Sequence, residues 1–268
     1  MYDIHSHILP ALDDGAVDQK TALRMAHIAV EDGITHMACT PHIYPGLYDY
    51  DSNRIDRAIA DFSEVLKTNH ISLTLGNGAD IQMVSEMVAR LNDKTMPTIN
   101  NSRYLLCEPP HHVAPFHFIE SVTDILSAGY VPIITHPERL SWLQEHYDDF
   151  LVIAEQGAWM QVTAGSLTGA FGSRPQYWAE KMLADGVVHI LATDAHNTDN
   201  RAPVLRHGTD RAVRFIGKAQ AEALVNERPK AVWDNRAPDM VSQPPGFDHD
   251  GKLPKARKKG LLKRLFSK

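Results

Sequence analysis

Short β-prone runs alternate with amphipathic helical stretches through most of this chain, and six of the seven runs end beside a His, Asp or Glu. The runs are Asp3–His7, Thr35–Thr40, Ser72–Gly76, Tyr104–Glu108, Val131–Thr135, Trp159–Thr163 and Val188–Thr193. Such alternation predicts βα units around a parallel sheet. Seven strands within the first 200 or so of 268 residues predict a closed or nearly closed barrel more than an open sheet. The helices carry apolar residues at helical spacing. Ala22, Met25, Ala26 and Ala29 mark one from Asp18 to Glu31, ended by Asp32-Gly33, and Ile55, Ile59, Phe62 and Leu66 mark another over Ser52–Leu66. Between them, Tyr44–Tyr50 is an aromatic-rich loop, suited to ordinary packing or to a wall beside a ligand.

In parallel βα folds the C-terminal strand ends share one side of the molecule, where active sites form. His5 and His7 leave one face of the first strand. The loops after later strands hold Asp13-Asp14-Gly15, Thr40-Pro41-His42, Gly76-Asn77-Gly78-Ala79-Asp80, Glu108, His136-Pro137-Glu138-Arg139 and Asp194-Ala195-His196. Each is weak by itself; Asp-Asp-Gly, for example, is common turn chemistry. Together they gather more mixed nitrogen and oxygen ligands than the four a closed structural site needs. That surplus predicts a catalytic cluster of two or three ions.

Composition narrows the alternatives. The chain has two cysteines, Cys39 and Cys107, each inside an apolar run, which suits buried thiols in a cytoplasmic protein. Neither begins a Cys-x5-Arg nucleophile loop. No stretch approaches the roughly 18–20 apolar residues of a membrane span, and no signal peptide is expected. The formal charge is −6, with +8 in residues 252–268 and therefore −14 in residues 1–251. An acidic body argues against nucleic-acid binding.

These residues resemble a known family. His5-Ser6-His7, Thr40-Pro41-His42, the acid at position 80, Glu108, His136-Pro137-Glu138-Arg139 and Asp194-Ala195-His196-Asn197 are similar to motifs of the polymerase and histidinol phosphatase (PHP) superfamily. The opening Asp3–Gly15 and Asn101-Ser102-Arg103-Tyr104 resemble most its capsule-biosynthesis branch, the CpsB/YwqE-like metal-dependent protein-tyrosine phosphatases, over residues 1–235. The resemblance implies a distorted (β/α)7 TIM-like barrel with manganese, or alternatively iron or zinc, at two to three sites. It implies one ion held by His5, His7, Glu108 and Asp194, a second by Asp80, Glu108 and His136, and a third by Asp14, His42 and His196. The family usually has Glu where Asp80 stands. Arg139 resembles the phosphate-binding arginine, with Arg201 or Arg206 supplying another, and His42 or a water protonating the departing phenolate. His111 and His112 are expected in solvent or in a substrate loop.

The resemblance implies hydrolysis of phosphotyrosine on a protein, with an autophosphorylating membrane tyrosine kinase of capsule or exopolysaccharide synthesis as substrate. A small-molecule phosphomonoesterase such as histidinol-phosphate phosphatase is the alternative. A nuclease module and a metal-free scaffold fit less well. The domain reading is 1–235 catalytic, 236–254 a Pro/Gly-rich linker, and 255–268 a basic tail. The tail suits either a solvated extension or an amphipathic helix making weak contact with the inner membrane surface. Oligomeric state is open, with a homo-oligomer allowed.

Overall fold

The computed structural model describes residues 1–254. Nine strands and nine α-helices follow one another in these residues: β1 (Tyr2–Ser6), α1 (Gln19–Asp32), β2 (His36–Cys39), β3 (His42–Ile43), α2 (Ser52–Thr68), β4 (Thr74–Asn77), β5 (Asp80–Gln82), α3 (Met87–Asn92), β6 (Tyr104–Glu108), α4 (Phe118–Ser127), β7 (Val131–Thr135), α5 (Leu143–Gln156), β8 (Trp159–Thr163), α6 (Ala164–Leu167), α7 (Ser173–Ala184), β9 (Ile190–Ala192), α8 (Arg206–Ala223) and α9 (Glu227–Trp233). Every ladder is parallel. β6, β7 and β8 are buried along their whole length, as expected of parallel strands covered on both faces.

The ladders form two sheets, β1-β2-β4 and β3-β5-β6-β7-β8-β9. They do not by themselves close a ring. At one seam a single bridge joins Ser6 to Ala195, flanked by His7 N–H to the Ala195 carbonyl and Asp194 N–H to the His5 carbonyl, each at 2.9 Å. The other break lies beyond the ends of the two expected strands Thr35–Thr40 and Ser72–Gly76, where two further short strands, β3 and β5, were not expected. Pro41, which lacks an N–H, separates β2 from His42–Ile43, which pairs with Asp80–Gln82 in the other sheet. This puts His42 directly opposite Asp80.

The helix boundaries follow the sequence signals. The Asp18 side chain accepts the Thr21 N–H and starts α1, while Gly33, at φ 94°, ends it in a conformation that favours glycine. The stretch read as a linker is packed rather than free. Arg228, fully buried, donates to the carbonyls of Ser242 and Gln243, and Leu253 is buried with its N–H on Glu155. Phe247 lies 5.6 Å from the His189 ring. The basic tail falls outside the described residues.

His189 couples this packing to pH. It stacks on Trp159 at 5.1 Å, and its Nδ1 accepts the Met160 N–H. Burial, together with the charge of Arg228, holds its pKa well below the usual imidazole range. The unfolded chain therefore binds a proton that the folded chain refuses, so this contribution is complete above about pH 6.5 and is lost as pH falls below it. His189→Asn keeps the acceptor and does not titrate. Chemical denaturation between pH 6.5 and 5 should show a stability slope shallower by up to about 1.4 kcal/mol per pH unit in the variant. Equal slopes would show that His189 titrates normally in the folded protein.

Candidate metal centre

The centre is assembled from strand ends, beginning at the β1–β9 seam. His5 and His7 are fully buried, and their Nε2 atoms lie 3.3 Å apart. Asp194 reaches both, its Oδ1 standing 3.4 Å from each Nε2. The His5 Nε2 is also 3.4 Å from Asp80 Oδ2. On one side of this pair, Asp14 Oδ1 stands 3.3 Å from His196 Nε2 and 3.6 Å from His42 Nε2. On the other, His136 Nε2 lies 3.7 Å from Glu108 Oε1 and 3.8 Å from Asp80 Oδ2. Four of the ligand-capable groups so formed are His7-Asp14-His42-His196, His5-His7-Asp80, His5-His136-Asp194 and His42-Asp80-Glu108. All nine residues expected as ligands are thus brought together.

Local backbone explains how. His136 and Asp194 occupy left-handed conformations, φ 34° and 50°, that turn their side chains inward as the strands end. Such conformations are uncommon for residues other than glycine and concentrate at functional sites. The Asp13–Gly15 turn folds onto β1 so closely that a Cβ at Gly15 would sit 2.0 Å from the His7 carbonyl oxygen. Only glycine permits that approach, and the turn thereby delivers Asp14.

Supporting residues were less visible in the sequence. Asp13, taken there as turn chemistry, contacts His7 Nδ1 at 2.6 Å and accepts the N–H of His42 at 3.0 Å and of Gly15 at 3.0 Å. It fixes which nitrogen of His7 faces the centre, as carboxylates behind metal-binding histidines do. Gln161 does the same for His5, contacting its Nδ1 at 2.9 Å. Asp3, buried beneath the seam, accepts the Thr193 N–H and hydroxyl, and burial pushes its pKa up to about 6. The adjacent acid in Asp-Asp-Gly was the signal available for Asp13.

Electrostatics divide the imidazoles. Burial opposes a charge on His7, but the Asp13 and Asp194 carboxylates outweigh it and push its pKa up to about 10. Burial and the neighbouring Arg139 lower His136 to about 3, and burial with the His7 charge lowers His196 to about 4. Burial also opposes the Asp80 and Asp194 carboxylates, yet His5 and other cationic partners hold both well below the usual range. For His136, His196 and the carboxylates these are the protonation states metal binding requires, whereas His5 and His7, raised by neighbouring carboxylates against the effect of burial, would release a proton to a bound cation. Both Asp80 oxygens, Glu108 Oε2, His42 Nδ1 and His196 Nε2 are buried with no hydrogen-bond partner in the protein. Buried polar atoms rarely go unpartnered, and cations would satisfy this set.

Two arginines adjoin the carboxylates. Arg139 and Arg201 both donate to Asp194 Oδ2, the latter at 2.7 Å. Both guanidinium groups lie over the Phe171 ring, at 4.5 and 5.8 Å, a contact nothing in the sequence indicated. Of the two alternatives expected beside Arg139, the structure brings Arg201 to the carboxylate and leaves Arg206 elsewhere. Asp32 at the end of α1 accepts the Leu205 and Arg206 N–H groups, and the Asp32 carbonyl accepts the Arg206 guanidinium. That pairing caps α8 and holds Arg206 at the surface. Cys39 and Cys107 are buried free thiols whose pKa burial raises, so neither is poised as a nucleophile.

A cluster of histidines and carboxylates at parallel strand ends, flanked by arginines, defines a candidate metal-dependent hydrolase on an α/β scaffold. The chain belongs to the CpsB/CapC family of capsular polysaccharide synthesis proteins, whose model matches residues 1–234. Tyrosine-protein phosphatase YwqE of Bacillus subtilis is 33% identical over 201 residues, 75% of this chain and 79% of the relative. Putative tyrosine-protein phosphatase CapC of Staphylococcus aureus is 31% identical over 206 residues, 77% and 81% of the two chains. A crystal structure from work on YwqE of Bacillus subtilis and CpsB of Streptococcus pneumoniae, described as unique metal-dependent tyrosine phosphatases, aligns with TM-score 0.86. That match is 29% identical and covers 91% of this chain and 98% of the other.

Proposed function

We propose that this chain is a metal-dependent protein-tyrosine phosphatase, using manganese, or iron or zinc, at two to three sites in a distorted (β/α)7 barrel. The observation that carries the reading is the meeting of the ligand cluster and two arginines on one carboxylate, Asp194. Bound cations would neutralise a phosphate monoester and acidify an attacking water. The chain's own groups do the rest. Arg139 and Arg201 keep donors beyond those given to Asp194, and the Arg201 Nε is buried without a partner, suited to the equatorial phosphate oxygens. Both ring nitrogens of His42 face carboxylates, at 3.5–3.6 Å, which supports a ligand role over that of leaving-group acid.

Tyr48 stacks on His42 at 5.9 Å from the Tyr44–Tyr50 loop. Leu47 in that loop, and Val113 and Phe116 after β6, are exposed apolar side chains. Such contacts suit an aromatic phosphoester on a peptide. The names of the relatives support phosphotyrosine as substrate, and the capsular family supports a membrane tyrosine kinase of polysaccharide synthesis as the protein that carries it. No helix among the described residues is long and apolar enough to cross a membrane, compatible with a cytoplasmic enzyme meeting that kinase at the membrane surface. Histidinol phosphate remains the competing substrate class.

Metal-stripped protein reloaded separately with manganese, iron or zinc provides the test, with initial rates read on a phosphotyrosine peptide and on histidinol phosphate. Metal-dependent turnover of the peptide, absent in His136→Ala, is the expected result. Preference for histidinol phosphate would transfer the chain to the small-molecule class.

A further inference from the structure

We propose that His111 is a metal ligand, completing with Asp80, Glu108 and His136 the coordination of the ion on the β5–β6–β7 side of the centre. The inference rests on the metal reading above and adds a ligand to it. His111 Nε2 lies 3.1 Å from Glu108 Oε1, which is itself 3.7 Å from His136 Nε2. The two imidazole centroids are 5.2 Å apart, and the ligand-capable atoms of Glu108, His111 and His136 all fall within 4.8 Å of one another. Ligands held at about 2.0–2.2 Å from one ion stand roughly 3–4 Å apart, so these spacings fit a shared cation.

Donor accounting on this side points the same way. Both Asp80 oxygens and Glu108 Oε2 are buried and unpartnered within the protein, and the only neutral donor supplied by the expected ligands is His136. A second imidazole would raise the set to two nitrogens and two carboxylates, a common catalytic combination.

The loop is built to hold His111 there. The His111 carbonyl accepts the Ser141 N–H at 2.9 Å and the Ser141 hydroxyl at 3.1 Å, and the Pro110 carbonyl accepts the Trp142 indole N–H at 2.8 Å. Trp142 is in turn buried against Phe118, with centroids 5.5 Å apart. The segment following His136 thus straps down the segment following Glu108, and the two imidazoles approach from loops that are hydrogen-bonded to each other. His112, next in sequence, is exposed. It serves as the control.

Metal content of the full chain after dialysis against a fixed free-metal concentration, with the visible spectrum of the cobalt-substituted protein, tests the assignment. His111→Ala and His111→Gln should each lose about one ion per chain under conditions that keep the parent and His112→Ala loaded. Their cobalt spectra should change, while thermal melts of the metal-free forms coincide. Gln retains an N–H donor near the Nε2 position. Full loading and an unchanged spectrum in His111→Gln would therefore reduce His111 to a hydrogen-bond donor for Glu108 and overturn the proposal, as would full loading in His111→Ala. A parent that binds no ion would overturn the metal reading itself. A parent that binds its ions yet does not turn over the peptide would count against the phosphatase reading alone.

Discussion

Asp194→Asn is expected to lower kcat/KM on a phosphotyrosine peptide by at least about 10³-fold, roughly 4 kcal/mol of barrier. The side chain is the joint of the centre. Oδ1 faces His5 and His7, each at 3.4 Å, and Oδ2 accepts from Arg139 and Arg201. An amide supplies one acceptor where the carboxylate supplies two, so its NH2 must confront either the imidazoles or the guanidinium groups. In the first case a metal ligand is lost, and in the second both arginines are repelled from their seat. Asn is also among the residues most tolerant of a left-handed backbone, and position 194 sits at φ 50°. The fold should therefore survive, which a thermal melt checks. Bound metal measured in parallel separates the two ways of losing activity. Rates within tenfold of the parent, with metal retained, would remove Asp194 from the reaction.

The reason so much of this centre could be read from sequence is that parallel βα topology turns order along the chain into position around one rim. Their period of two and their places after apolar runs put His5-Ser6-His7 and Asp194-Ala195-His196 on that rim; their sharing of an ion was implied by the family resemblance, and the β1–β9 seam joins them. What escaped were features without a local period. β3 and β5 contain two and three residues, too short for any hydrophobic alternation, yet their pairing sets His42 against Asp80. Arg206 and Arg201 are the same residue type and both follow β9; only tertiary contact separates the arginine held by Asp32 from the one held by Asp194. Phe171 is an unremarked aromatic in a loop until two guanidinium groups lie on it. Pro244-Pro245-Gly246 signalled irregular backbone, and irregular it is, but buried Arg228 binds the carbonyls just before it.

Arg139→Ala should reduce kcat/KM on the same peptide by about 10²–10³-fold while leaving metal content near that of the parent. The guanidinium lies mostly buried between Asp194 and the face of Phe171, so its position is set before substrate arrives and little reorganisation is needed during the reaction. Arg139→Lys restores charge but neither the planar fork nor the stacking, and recovery should be partial. Because Arg201 shares both the carboxylate and the ring, the double variant Arg139→Ala/Arg201→Ala should lose less than the product of the two single losses. Strict multiplicativity would mean that the arginines act on separate parts of the substrate. An unchanged rate in Arg139→Ala would instead make the residue a partner that only stabilises Asp194. The sharper signature is the division between constants: an arginine whose contacts strengthen as charge builds on the equatorial oxygens moves kcat, whereas one that only gathers substrate moves KM. The fixed seat on Phe171 favours the first, so kcat is expected to fall further than KM rises.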